Sequence, residues 1–414
     1  MDIQNFIEKT YNQLKDNNQG NVADYIPQLA KVNPDLFAIS VCDINGKLNC
    51  VGDCKINFCL QSCCKPLLYC ICRDILDYKT IHKHVSHEPS GRKFNSFQLD
   101  KNNKPHNPMI NAGAIMISSL IKPKKEPSER FDLIKTYLNR MAGGTGFFGF
   151  DNSVYLSEQT HADRNKALAY HMNEFKAFPE GTDLDKTLSF YFQSCSILSN
   201  TETLSIVAAT LANNGICPVT GEEIFDKKVI KDCLSLMYSC GMYDYSGTFA
   251  FEIGLPAKSG VSGCIMLIIP NKMGICIWSP KLDDIGNSVR GLEFCKSFIK
   301  EYPEYHIFYN LQKKIEYENK TMIFINAASN NNLDIMKTMI GDIDINVSDY
   351  DKRNALHLSC ANGHYDVVKF LIDSKADINL KDRWGNTALH ELKINKDKNP
   401  SRYNKIIQLL KKST

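Results

Sequence analysis

Three regimes of apolar and polar patterning follow one another along the chain. Residues 2–29 carry apolar side chains at helical spacing. Residues 36–53, LFAISVCDINGKLNCVGD, change to two apolar runs that flank Asn45-Gly46, a dipeptide suited to a tight hairpin turn. Helical spacing then fills most of residues 62–239. Strands return at residues 254–280, GLPAKSGVSGCIMLIIPNKMGICIWSP, where two β-branched runs are parted by a Pro270-Asn271 turn. Strands at both ends with helices between them predict an α/β domain, one antiparallel sheet closed by the ends of the segment with a helical block inserted.

The carboxyl end repeats itself. Asn354-Ala355-Leu356-His357 returns 33 residues later as Thr387-Ala388-Leu389-His390. This period, with an A-L-H helix start and Gly363-His364 between two short helices, resembles the ankyrin repeat. Residues 325–346 read as a weaker upstream copy. Each unit has an apolar face that only a stacked neighbour can bury. The polar stretch LQKKIEYENK at residues 311–320 reads as the joint. The expectation is a catalytic domain over residues 1–310 and an all-α ankyrin domain over 316–414, the latter a surface for a protein partner.

Composition narrows the class. The chain has 414 residues, and its 49 basic and 46 acidic side chains leave a net charge of +3. So even a balance provides no field for gripping nucleic acid or an anionic membrane. The longest apolar run, at residues 264–270, is too short to span a bilayer. Sixteen cysteines, including the adjacent Cys63 and Cys64, with no secretory leader, read as free thiols in a reducing interior. Cys59, Cys63, Cys70 and Cys72 lack the paired spacing of a zinc site. His82, His84 and His87 read as a polar surface strand, since no carboxylate or cysteine completes a ligand set.

The chemistry begins at FCLQSCCKPLLYC. Helical spacing of Leu60, Cys64, Leu67 and Leu68 puts Ser62 near a helix start and Lys65 one turn on, along the same face. Pro66 is tolerated only early in a helix, which agrees. A serine hydroxyl attacks well only if a neighbour accepts its proton; an amine kept neutral by burial can do so. Far along the chain, Lys258-Ser259-Gly260 opens the strand run. Serine penicillin-recognising enzymes set a K-[ST]-G edge strand opposite an S-x-x-K helix.

Together with VADYIPQLAK, KPHNPMINAGAI, FPEGTD, ATLANNGICPVTGE, SCGMYDYSG and GLPAKSGVSG, this segment resembles the serine-dependent glutaminases from about residue 21 to 301. The ankyrin repeats that follow match the animal kidney- and liver-type enzymes. The resemblance implies a β-lactamase-like α/β fold and hydrolysis of L-glutamine to L-glutamate and ammonia. Within it, Ser62 matches the nucleophile, Lys65 its activating partner, and Tyr191 and Tyr243 the catalytic tyrosines. The backbone N–H groups of Ser62 and of Val261, the latter expected on the strand facing the helix, correspond to the oxyanion hole. Glu158 matches the acceptor of the substrate's ammonium. Tyr25, Gln61, Asn111 and Asn165 match the remaining substrate binders, with Glu158 and Asn165 expected two turns apart on one helix.

The family uses no metal or organic cofactor, is activated by inorganic phosphate, and forms homodimers and homotetramers. Its animal members are mitochondrial. The amino terminus here shows no transit peptide, so a cytoplasmic setting is the other expectation. Phe97-Gln98 replaces a Leu-Phe pair of the kidney type in a loop near the site and the dimer–dimer contact. An extra residue falls in MAGGTGFFGFDN, where Gly143, Gly144 and Gly146 read as a flexible turn. Two other readings remain open: a penicillin-recognising-type hydrolase acting on another amide, and a catalytically silent ankyrin scaffold.

Overall fold

Ala38–Asp43 (β1) and Leu48–Gly52 (β2) form the hairpin around Asn45-Gly46, with Ala38 facing Gly52 and Cys42 facing Leu48. Phe58–Cys59 (β3), Gly149–Phe150 (β4) and Ile197–Ser199 (β5) make a small antiparallel sheet ordered β3-β5-β4. Ala257–Gly260 (β6), Cys264–Ile269 (β7) and Met273–Trp278 (β8) complete the main sheet, ordered β2-β1-β8-β7-β6 and antiparallel throughout. This computed structural model describes residues 2–91, 96–309, 317–396 and 400–412. It divides into two units, Met1–Asn310 and Leu311–Thr414.

Both faces of β7 and β8 are covered, so these strands read as apolar runs without polar alternation. Ile265, Leu267, Ile269, Ile275 and Ile277 pack toward Phe6, Phe294 and Phe298 of the helices Ile3–Leu14 and Val289–Glu301. Their alternates, Cys264, Met266, Ile268, Cys276 and Trp278, join the core of the helical block. The helix Thr201–Ala212 lies directly on β8 because Gly274 has no side chain: a Cβ there would sit 2.1 Å from the Ala209 nitrogen.

Two local expectations need correction. Residues 2–29 are not one helical stretch. After Leu14 the chain turns at Gly20 (φ +86°), and Asn21 bridges to Leu282. Nor is there a strand at residues 82–87. Tyr78–His82 is a helix, because the Asp77 side chain accepts hydrogen bonds from the N–H groups of Lys79 and Thr80 and so caps it. His82 and His84 bond to the carbonyls of Val85 and Ala177.

In the second unit, helices pair as Tyr317–Ser329 with Leu333–Met339, Ala355–Ala361 with Tyr365–Asp373, and Ala388–Ile394 with Pro400–Lys412. The repeated A-L-H has a physical reason. Asn354 caps the His357 N–H at 3.0 Å, and the His357 ring reaches on to the Asn386 carbonyl, 3.1 Å away in the following repeat. The first helix begins at Tyr317, so residues 317–320 of the expected joint are helical and the upstream copy starts before residue 325. Residues 311–316 of that joint lie outside the described residues.

Candidate active site

The small sheet delivers the chain to the site. From β3, the Leu60 N–H donates to the Ile197 carbonyl at 2.8 Å, and a tight 3₁₀ turn, Gln61–Cys63, leads into the helix Cys64–Ile75. Gln61 sits at φ +46°, in the left-handed region. For a non-glycine residue that costs on the order of 1–3 kcal/mol and persists only where the surroundings enforce it. The turn aims Ser62 inward. Lys65 is 1% exposed, and its Nζ is hydrogen-bonded to Ser62 Oγ at 3.0 Å and to Asn111 Oδ1 at 2.7 Å. Pro66 lies in the helix's first turn, where no backbone donor is needed.

The edge strand β6 closes one side. The Cys63 thiol points at the Lys258 carbonyl, 3.5 Å away, and a Cβ on Gly260 would stand 3.0 Å from the Leu60 carbonyl. Val261 is not on that strand: it lies in the turn between β6 and β7, where the Gly263 N–H donates to the Gly260 carbonyl at 2.9 Å. The strand ends there because Gly263 takes φ +94° to reverse the chain. Tyr243, also left-handed at φ +54°, is buried, and Ser62 is the neighbour that most opposes the rise burial imposes on its phenol.

A second cluster adjoins the first. Glu158 Oε1 accepts hydrogen bonds from the Tyr25 hydroxyl (2.7 Å) and Gln61 Nε2 (3.0 Å), and the same hydroxyl lies 3.2 Å from Gln61 Oε1. Asn111 Nδ2 donates to Asn165 Oδ1 at 3.0 Å, and the Tyr191 hydroxyl donates to Asn111 Oδ1 at 3.4 Å. Glu158 and Asn165 do not share a helix. Asn152–Thr160 ends at His161, and a new helix, Asp163–Glu174, carries Asn165. The break turns Asn165 toward Asn111 while Glu158 faces Gln61. Phe97 packs on that second helix, under the Arg164 guanidinium (3.8 Å) and edge-on to His171. Gly143 and Gly144 lie in a turn with positive φ.

Burial governs the electrostatics. It draws the Lys65 amine below its ordinary range, opposed by Cys195, Cys64, Cys63 and Glu158. It raises Glu158, against hydrogen bonds from Tyr25 and Gln61 and the charge of Lys65. Tyr191 and Tyr243 are both pushed up, chiefly by burial. The geometry thus offers an amine biased toward its neutral form against a hydroxyl, flanked by phenols that stay protonated. Through Gln61, the residue before Ser62, the pair adjoins a buried carboxylate held by neutral partners. Among the described residues no cluster of His, Cys, Asp and Glu forms a metal set, and all cysteines are free, with Cys50 alone partly exposed.

Some of this escaped the sequence. The bond from Lys65 to Asn111 joins residues 46 apart, and nothing in either segment announces it. The K-S-G element located Lys258 but not the direction of its amine. Asp77 before Tyr78-Lys79-Thr80 was a readable cap signal.

Comparison with known proteins shows the family and the fold. The glutaminase family profile matches residues 20–308, and ankyrin repeats match residues 290–382 and 324–410. The mitochondrial liver isoform of glutaminase from Rattus norvegicus is 46% identical over 398 residues, covering 93% of this chain and 66% of its own length. A glutaminase from Trichormus variabilis is 43% identical over 298 residues, covering 72% of this chain and 87% of its own. A solved structure named probable glutaminase ybaS superposes with a TM-score of 0.69 at 32% identity, over 72% of this chain and 96% of that one. Mglu "in its glutamate form" gives a TM-score of 0.69 at 32% identity, over 74% of this chain and 69% of that one. The first unit has the β-lactamase-like fold of these structures, the second is built of ankyrin repeats, and the chain belongs to the glutaminase family.

Proposed function

We propose that this protein hydrolyses L-glutamine to L-glutamate and ammonia through a glutamyl ester on Ser62. One observation carries the reading: the Ser62 hydroxyl lies 3.0 Å from a fully buried amine, next to a buried carboxylate whose hydrogen-bond partners are neutral. An amino acid's ammonium supplies the cation that Glu158 lacks. Asn165, Tyr25, Gln61 and Asn111 are neutral groups suited to its carboxylate and amide.

In the first half-reaction Ser62 Oγ attacks the side-chain amide carbon while its proton passes to Lys65 Nζ. The carbonyl oxygen becomes an oxyanion held by the N–H groups of Ser62 and Val261. The C–N bond then breaks, and the departing nitrogen takes a proton relayed through Tyr243, with Tyr191 bracing Asn111 against Lys65. In the second half a water gives up a proton to the same relay and its oxygen attacks the ester carbon. The bond to Ser62 Oγ breaks, and the proton returns to that oxygen.

The test is release of ammonia and glutamate by the purified, folded chain at millimolar glutamine. Run across phosphate concentrations beside solution mass, it also reads phosphate activation and assembly as dimer or tetramer, both proposed from the family. A mitochondrial setting, proposed from the name of the Rattus norvegicus isoform, is read by cell fractionation. A protein partner on the ankyrin repeats is part of the same proposal.

Two outcomes follow at this site. Glu158→Gln keeps the hydrogen-bond frame but removes the charge that pairs with ammonium. It is expected to lower kcat/KM by on the order of 10²–10³, mostly through KM, as expected for losing a buried charge pair worth about 2–5 kcal/mol; steady-state kinetics check it. The pH profile has a definite sign. Lys65 must be neutral to accept the proton, and burial lowers its titration, so kcat/KM rises with pH through that lowered value. Because Tyr191 and Tyr243 titrate above an ordinary phenol, neither contributes an alkaline fall near pH ~10, and a fall on that side is expected only from the substrate's ammonium losing its proton.

A further inference from the structure

Lys258 has no exposed surface, and its amine is not directed at the Ser62–Lys65 pair. Its Nζ donates to the Gly241 carbonyl at 3.0 Å and to its neighbour Ser259's carbonyl at 2.6 Å, and lies 4.6 Å from the centre of the Tyr243 ring. The Gly241 carbonyl also accepts the Ser259 N–H at 3.1 Å, so β6 grips this one oxygen twice. The approach is close enough to exclude any side chain: a Cβ on Gly241 would meet the Ala257 carbonyl at 1.8 Å. Two residues on, Tyr243 holds a left-handed backbone that no bulky residue keeps unaided. Further supports come from Ser246 Oγ, which accepts the Met242 N–H at 2.9 Å, and from Asn287, which donates to the Met242 carbonyl at 3.4 Å.

We infer that Lys258 is a positioning residue: its amine pins the Gly241–Tyr243 turn to the edge strand and sets the ring so that the Tyr243 phenol meets Ser62. This rests on the reading of Tyr243 as the proton relay. In penicillin-recognising enzymes the K-[ST]-G lysine lines the substrate site; here it is turned back onto the protein. The clamp survives deprotonation. Burial and the like charge of Lys65 pull Lys258 down to about 7, yet a neutral amine keeps two N–H donors, enough for two carbonyls.

The experiment is a double-mutant cycle on the full chain, with Lys258→Met and Tyr243→Phe, read as kcat and KM for glutamine. Lys258→Met is expected to lower kcat about 10²-fold with KM nearly constant, the penalty of a reacting group misplaced by about 1 Å. In the Tyr243→Phe background the same change is expected to cost less than about threefold, because the group it positions is gone. A rise in KM with kcat kept would mean that the lysine touches substrate, and would overturn the inference. So would an undiminished penalty in the Tyr243→Phe background while Tyr243→Phe itself is impaired. Wild-type activity in Tyr243→Phe alone would instead bring down the relay, and the inference with it. If Lys258→Met does not fold by circular dichroism, the cycle is run with Lys258→Arg, whose larger head displaces the clamp but keeps a cation, under the same criteria.

Discussion

Ser62→Ala is expected to reduce glutamine hydrolysis by on the order of 10⁵–10⁶-fold while the protein stays folded and still binds glutamine. The catalytic loss is large because no other nucleophile is poised. The Cys63 thiol, next in the chain, faces the carbonyls of Lys258 and Cys264, and burial holds it well above the ordinary thiol range, so no thiolate can substitute. The structural loss is small. Lys65 keeps its bond to Asn111, and losing one buried hydroxyl hydrogen bond costs about 1 kcal/mol. Ammonia release, circular dichroism and glutamine calorimetry together check it. Residual activity within tenfold of wild type would send the search to another nucleophile.

The second large effect belongs to Lys65. Lys65→Met fills nearly the same volume and removes the base. It is expected to lower kcat by on the order of 10³–10⁴, and to abolish the rise of kcat/KM with pH, since the group that produced it is gone. Stability moves the other way. Burial lowers the Lys65 titration, so the folded chain binds that proton less readily than the unfolded chain does. The group therefore costs stability below its unfolded value near pH ~10.4, a cost that grows toward acid until the folded form also protonates. Methionine has no such penalty. The thermal midpoint of Lys65→Met at neutral pH is expected at or above that of wild type, as at other sites where function is held at the expense of stability. A lower midpoint would show that the amine braces Asn111 and Ser62 more strongly than burial penalises it.

How far the sequence revealed this depended on how local the determinant was. Asn45-Gly46 and Pro270-Asn271 encode their turns in two residues each, and both hairpins are where that chemistry puts them. Ser62 and Lys65 are one helical turn apart, so spacing alone brought them together. The small sheet was invisible because β3 and β4 have two residues each, too short for any periodicity. The helix break between Glu158 and Asn165 falls in Gln-Thr-His-Ala-Asp, which contains neither glycine nor proline. Val261 lies one residue past the end of β6, because the reversal at Gly263 depends on a left-handed backbone that the apolar pattern does not encode. The direction of Lys258 depends on a glycine 17 positions away, which no local pattern contains.

The placement of β1 between β2 and β8 has a consequence for how the chain is made. β1 is complete once Asp43 has been synthesised, but its inner edge stays bare until Trp278 emerges, because its partner there is β8. At about 5–20 residues per second that delay is roughly 10–50 s, during which an apolar strand edge is open to other nascent chains. The strand that closes one side of the Ser62 site, β6, is also made late, so the nucleophile's surroundings are completed only near the end of the domain's synthesis, and until then the nascent chain depends on shielding.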